Sequence, residues 1–243
     1  MNKVIKHTIS LLLLIVMSHN VIAQTNEMDS ASTAASMDLI RIQNAMEAYD
    51  STEFDMEAIA SENGFSDTLN AVYAMQGEFF KAVFDSVVNI QNQYVNLEVH
   101  EDGKMLIVSK PLPFSKKFLQ GNIEEGLFSQ MNVDSINITS SGGNKTLHFN
   151  FLPTSEYDTY TITYNPSSYR VSETYIKIKT TDETGAFVPG VFSTLRIRFS
   201  NFQPISGSIS FDTGQYIYPT GGNQFEKQLA YNDYELINLF ENQ

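Results

Sequence analysis

The amino-acid sequence predicts an α+β fold: a strongly curved antiparallel β-sheet covered by an N-terminal helix and a short helical insertion. Three observations predict it. From Glu53 onward apolar and polar residues alternate along most segments, which sends the apolar ones to one face of a sheet. Clusters of Gly, Asn, Asp and Ser separate those segments at short intervals, so consecutive strands pair as an antiparallel meander. Helical spacing recurs only near 37–49 and 111–129, and these two stretches are the elements available to cover the apolar face.

The chain opens with Lys3 and Lys6, an apolar run from Ile9 to Met17, and Val21-Ile22-Ala23 before Gln24. This reads as a cleavable secretory signal over 1–23: the run is too short for a stable membrane anchor, and Ala23 suits signal peptidase. Residues 24–36 are small, polar and without periodicity, as in a flexible leader. Leu39, Ile40, Ile42, Ala45, Met46 and Tyr49 then recur at three- and four-residue spacing, giving an amphipathic helix over 37–49 with Ser36 or Asp38 as its cap.

In Glu53-Phe54-Asp55-Met56-Glu57-Ala58 acids alternate with apolar residues, which describes a half-solvated strand. Ser61-Glu62-Asn63-Gly64 supplies a turn, and Val72 to Val88 reads as extended and aromatic-rich around Gly77-Glu78-Phe79-Phe80. Gln93–Val99, Glu101-Asp102-Gly103-Lys104 and Met105–Ser109 form the clearest hairpin, with Asp-Gly supplying positive φ. Pro111 and Pro113 end that strand, and Phe114, Phe118, Leu119, Ile123, Leu127 and Phe128 give the helical insertion. Further strands are expected at 133–139, 146–152, 157–164, 169–179, 192–202 and 209–218. Periodicity leaves 229–240 open between a strand and a short helix. In Leu147-His148-Phe149-Asn150-Phe151 and Leu195-Arg196-Ile197-Arg198-Phe199 the apolar residues share one side and the polar face is solvated.

Composition excludes several functions. With no Cys there is no disulfide, thiolate metal site or cysteine nucleophile, nor a lipid-bearing Cys at the cleavage point. Export of such a chain fits a Gram-negative periplasm better than a eukaryotic secretory route. The net charge is −13; cleavage after Ala23 removes two of the 15 basic residues and none of the 28 acids, leaving −15. Phosphate-backbone binding needs a basic face, so nucleic acid is not a partner, and the acidity serves solubility. No linker divides 37–243, which is expected to be a single domain.

No catalytic or metal constellation emerges. His100 and His148 sit beside acids or amides on polar strand faces, and Glu53, Asp55 and Glu57 lie about 7 Å apart along a strand, too far for one compact cation site. Serines lack a Gly-x-Ser-x-Gly elbow, Gly221-Gly222 lacks a phosphate-loop lysine, and there is no Trp to stack on sugars. The chain is read as a non-enzyme without cofactor. A hydrolase built on acids converging in a polar cleft is the third-ranked reading.

The order of parts resembles the periplasmic lipoprotein carrier family (LolA) and its wider LolA/LppX-like relatives. Gly77-Glu78-Phe79, Glu101-Asp102-Gly103-Lys104-Met105 with Pro111, the segment from Thr194 to Phe202, and Ser210-Phe211-Asp212 carry the likeness, which covers most of the mature chain as a pattern. It implies a single LolA-like domain forming an unclosed barrel, with an apolar cavity under helical lids that holds acyl chains. The lining it implies is Phe54, Met56, Leu97, Leu147, Phe149, Phe151, Ile162, Ile176, Leu195, Ile197 and Phe199. The alternative is that these residues pack together as a closed core. The family fastens its lids with an arginine, where this chain has only Lys81, which cannot reproduce a planar five-donor group.

The resulting expectation is an exported periplasmic protein binding a lipid, acyl chain or other amphiphile, with transient membrane contact. The alternative is an envelope protein-interaction or structural domain whose partner is another envelope protein, suggested by 12 Tyr and 17 Phe. Asp29-Ser30-Ala31, Asp50-Ser51-Thr52, Asp67-Thr68-Leu69, Asp85-Ser86-Val87 and Asp134-Ser135-Ile136 are similar to an acceptor pattern for periplasmic O-glycosylation in one large group of Gram-negative bacteria. An Asp- and Ser-rich chain also produces such triplets by chance.

Overall fold

The structure, a computed structural model, describes residues 30–47, 51–111, 132–182, 184–205, 207 and 209–240. The signal segment 1–23, leader residues 24–29 and all of the expected helical insertion except Pro111 lie outside the described residues. One α-helix is described, α1 (Ser30–Glu47). It begins seven residues before the expected start, taking in the small residues read as a leader, so Ser36 and Asp38 lie inside it and cap nothing.

The strands are β1 (Thr52–Glu62), β2 (Phe65–Gln76), β3 (Phe79–Phe84), β4 (Val87–Gln91), β5 (Asn96–His100), β6 (Met105–Ser109) and β7 (Val133–Ser141). They continue with β8 (Asn144–Phe151), β9 (Tyr157–Tyr164), β10 (Val171–Thr181), β11 (Phe187–Pro204), β12 (Ile217–Gly221), β13 (Gln224–Lys227) and β14 (Glu235–Asn238). Twelve follow one open hydrogen-bonded order, β14-β6-β5-β4-β3-β2-β1-β11-β10-β9-β8-β7, and β12 pairs with β13 alone. The expected antiparallel pairing holds from β2 to β6 and from β7 to β11, whereas β14 runs parallel to β6. The tail takes both forms left open, a 3-10 turn at Leu229–Tyr231 and then β14.

Turn chemistry explains where the strands stop. Asn63 and Gly64 both take positive φ, 51° and 82°, as a two-residue hairpin turn requires. The expected single extended stretch from Val72 to Val88 is instead three strands, because Gly77 (φ 60°) and Asp85 (φ 48°) each start a reversal. In the Glu101–Lys104 hairpin the positive φ falls on Lys104 (46°), not on the Asp-Gly pair; the Lys104 N–H donates to Glu101 O at 3.3 Å, closing the turn one residue later than expected. The strand expected at 209–218 begins only at Ile217. Before it, Ser210 Oγ accepts the Asp212 N–H and Asp212 Oδ1 accepts the Gly214 N–H, two local turns that compete with a ladder.

The chain divides into two compact units: unit 1 comprises Met1–Glu47, Glu57–Thr68 and Ser115–Phe199, and unit 2 comprises Ala48–Met56, Leu69–Phe114 and Ser200–Gln243. Each has its own core. In unit 1, Ala35, Leu39 and Ile42 of α1 are buried with Ile136, Leu147, Phe149, Phe151, Ile162, Tyr164 and Val171. In unit 2, Ile90, Val95, Leu97, Val99, Leu106 and Val108 are buried with Tyr216, Ile217 and Phe240. Thus the C-terminal segment supplies a cover for unit 2 that helical periodicity did not predict.

Candidate functional site

In unit 1 the strand registers build a continuous apolar face. Residues directly opposite in an antiparallel pair point to the same side. One row runs Ile138, Leu147, Ile162, Thr174, Ile197, and the next runs Ile136, Phe149, Tyr160, Ile176, Leu195, from β7 to β11. The intervening residues form the wet face: Thr146 and Thr163 hydroxyls lie 3.1 Å apart, Arg198 donates to Glu173 and Glu57, and Lys177 pairs with Asp158.

Helix α1 covers one end of this face. Leu147 and Ile162 are 0% and 1% exposed, whereas Ile176, Leu195 and Ile197 on β10 and β11 are only half-buried. Met37 and Ile40 are exposed, so the buried stripe of the helix is Ala35-Leu39-Ile42 and narrower than the sequence implied.

A buried charge holds the helix down. Asp38 is 3% exposed. Its carboxylate accepts a hydrogen bond from Tyr164 Oη on β9, another at 3.3 Å from Lys145 Nζ on β8, and one at 3.3 Å from Arg41 one turn along the helix. Arg41 also donates to Tyr169 Oη at 3.0 Å, and its guanidinium lies 5.6 Å from that ring's centre. Burial, and then the hydrogen bond to Asp38, push the Tyr164 hydroxyl well above the usual phenol range. A buried carboxylate is costly unless paired, so this cluster fixes both the rotation and the seating of α1.

Sequence reasoning missed this cluster, although a signal was present. Asp38 stands three residues after Ala35 and four before Ile42, within the apolar stripe, where an acid must find partners. The cations that meet the helix are Arg41 and Lys145. Lys81, weighed as a substitute fastener, is a unit 2 residue on β3, opposite Ala74 and Ile90.

Eight of the eleven expected lining residues belong to unit 1. Leu147, Phe149, Ile162, Ile176, Leu195 and Ile197 lie in the two rows, Phe151 joins the core, and Phe199 packs against it. The other three are unit 2 residues. Phe54 stacks on Tyr73 and Phe202 at 5.4 and 5.2 Å, and Met56 is buried. Leu97 packs in the core beneath the C-terminal segment; Glu98, its neighbour, points to the opposite face with Asn89 in register, and Asn89 Nδ2 donates to Glu98 Oε1 at 3.4 Å. Burial, with Glu98 nearby, pushes the Tyr73 hydroxyl up to about 12.

The residues weighed for metal binding are engaged locally. His148 Nε2 lies 3.1 Å from Thr139 Oγ1, and His100 Nε2 lies 3.4 Å from Glu98 Oε2. Asp55 accepts from Asn201 at 2.6 Å and Glu57 from Arg198 at 3.1 Å.

No family model matches the chain, and no curated protein matches it. Among solved structures it is similar to an uncharacterized conserved protein from Thermus thermophilus, at 10% identity over 84% of this chain and 99% of that chain, with a TM-score of 0.45. It is also similar to a LolA superfamily protein from Nitrosomonas europaea, at 10% identity over 71% of this chain and 93% of that chain, with a TM-score of 0.32. A third is the Mycobacterium tuberculosis lipoprotein LppX, at 10% identity over 74% of this chain and 99% of that chain, with a TM-score of 0.34. Two of the three carry the names of the LolA/LppX group that the sequence resembles.

Proposed function

We propose that this chain is an exported, periplasmic, non-enzymatic binding protein that holds a lipid, acyl chain or other amphiphile against the apolar face of unit 1. One observation carries the reading: the face spans β7 to β11, but full burial in its two rows is confined to Ile136, Leu147, Phe149 and Ile162 on β7–β9, leaving Ile176, Leu195 and Ile197 on β10 and β11 half-buried. An acyl chain laid on such a face gains about 0.8 kcal/mol per buried methylene. A chain of a dozen carbons therefore gains on the order of 10 kcal/mol before ordering costs, more than the two or three apolar side chains of α1 contribute. The ligand can thus extend the buried area past the helix or displace it.

A second reading, protein binding by strand addition, is favoured by the position of β7 at one end of the strand order. Native mass spectrometry of protein purified from the cells that make it separates the two. The lipid reading predicts a co-purifying lipid mass in stoichiometric amount, lost in Leu195→Asp. An apo mass that stays unchanged after incubation with fatty acids and phospholipids overturns it and favours strand addition.

A further inference from the structure

Seven of the twelve aspartates in this chain are followed directly by Ser or Thr. With 42 Ser and Thr among 243 residues, composition alone gives about two such pairs. Five of the seven continue with Ala, Thr, Leu, Val or Ile, and the lipid-binding face uses none of them.

The fold sorts the pairs that are wholly described. Thr213 is buried. Thr159 is half-buried and donates to Asp158, which itself pairs with Lys177. Ser86, in the β3–β4 turn, commits its proton to Asp102 Oδ2 at 2.7 Å. Thr68 and Ser135, in contrast, are exposed.

Both of these sit on sheet margins. β3 pairs with β2 only from Val72 to Gln76, so Thr68 lies on the arm of β2 beyond that partner, and nearby Phe65 is 77% exposed. Ser135 lies on β7, at the end of the strand order, and the register shift between Val133 and Ser135 makes Asp134 the extra, outward residue of a bulge. Ser135 Oγ accepts from Asn150 Nδ2 at 3.2 Å and so spends no proton there. A margin of this kind lets a modifying enzyme grip extended backbone while the hydroxyl faces outward; Asp134 is exposed, and half-buried Asp67 accepts the Thr68 N–H at 2.9 Å.

We infer that this chain is an O-glycosyl acceptor at Thr68 and Ser135, with Asp67 and Asp134 as the recognised acids; the inference rests on the export reading above. The sugar comes from a phosphate- or diphosphate-activated glycosyl donor. The hydroxyl oxygen forms a bond to the anomeric carbon as the bond from that carbon to the phosphate oxygen breaks. The hydroxyl proton passes to a base of the transferase, and the carrier phosphate leaves as the anion. A bulky polar group at these margins would add solubility and block edge-to-edge pairing.

The test is intact-mass measurement and peptide mapping by electron-transfer fragmentation on protein purified from the cells that make it. Sugar masses are expected on the Thr68 and Ser135 peptides and not at Ser86, Thr159 or Thr213. Thr68→Ala and Ser135→Ala should each remove one glycan, and Asp67→Asn and Asp134→Asn should do the same with the hydroxyl kept. A bare chain that has lost its leader overturns the inference and leaves export standing. A bare chain that retains its leader overturns the export reading and this one together. Sugar at Ser86, Thr159 or Thr213 instead overturns the assignment by exposure, and glycan retained in both Asp→Asn variants overturns the role of the acids.

Discussion

Unit 1 and unit 2 solve the same problem differently. Each has a sheet with an apolar face that something other than the sheet must cover. Unit 2 uses the C-terminal segment, and the cover is itself core: Tyr216 packs on Tyr231 at 5.0 Å, Phe225 on Phe240 at 5.5 Å, and β14 joins the sheet beside β6. Among the described residues, unit 1 uses α1, with three buried apolar residues, seated by an ionic cluster around Asp38. A cover that shares backbone hydrogen bonds with its sheet leaves only when the unit unfolds. A cover held by side chains can leave alone. On the proposed lipid-binding reading, this difference assigns exchangeable binding to unit 1 and permanent structure to unit 2.

The largest effect should come from unit 2. Leu97→Ala deletes a fully buried side chain in the permanent core and should cost about 2–5 kcal/mol of global stability, read as a lower denaturation midpoint. Lipid capture by the folded fraction should be unchanged. A loss of capture at unchanged stability would erase the distinction between the two covers.

A smaller and more local effect is expected at Asp38→Asn. It keeps the shape but removes the charge that Lys145 and Arg41 meet, at a cost of about 1–3 kcal/mol, reduced because both cations are partly exposed. Hydrogen exchange should speed up in α1 and leave β4–β6 protected, and lipid uptake should become faster. Uniform loss of protection would show that α1 is as integral as the C-terminal segment.

The smallest effect is an alkaline one. Burial pushes the Tyr160 hydroxyl up to about 12, burial and Glu156 do the same for Tyr157, and Tyr164 is raised as well, all in unit 1; Tyr73 is raised to about 12 in unit 2. A group whose pKa is higher folded than unfolded holds more protons in the folded state between the two values. Its stabilisation is therefore complete below pH 10 and lost as pH rises toward 12. Buried Tyr164 contributes about 1.4 kcal/mol per pH unit in that window, and half-buried Tyr160, Tyr157 and Tyr73 less because solvent screens them. Tyr216, Tyr218 and Tyr231 of unit 2 are raised as well, so both units should lose protection as pH climbs past 10, monitored by tyrosinate absorbance and hydrogen exchange.

Much of the fold was legible because strand alternation and turn chemistry are local. β9 falls at its expected limits, and β7, β8, β10 and β11 within a few residues at most ends. What was not legible depends on partners distant in sequence. The apolar stripe marks Asp38 as an acid in need of partners but does not name them, because Tyr164 lies 126 residues away. Leu97 alternates as well as Leu147 does, yet alternation names a buried face without saying which cover buries it. The reversals at Gly77 and Asp85 were hidden within a continuous aromatic run, where the positive φ of a single residue decides between one strand and three.

The most direct test is photo-crosslinking with a fatty acid carrying a diazirine near its methyl end, followed by mapping of the labelled peptides. Label concentrated on the β10–β11 peptides containing Ile176, Leu195 and Ile197, and on the buried stripe of α1, is the predicted result. Label spread over the exposed residues of both units, or confined to the unit 2 core around Leu97, would contradict it.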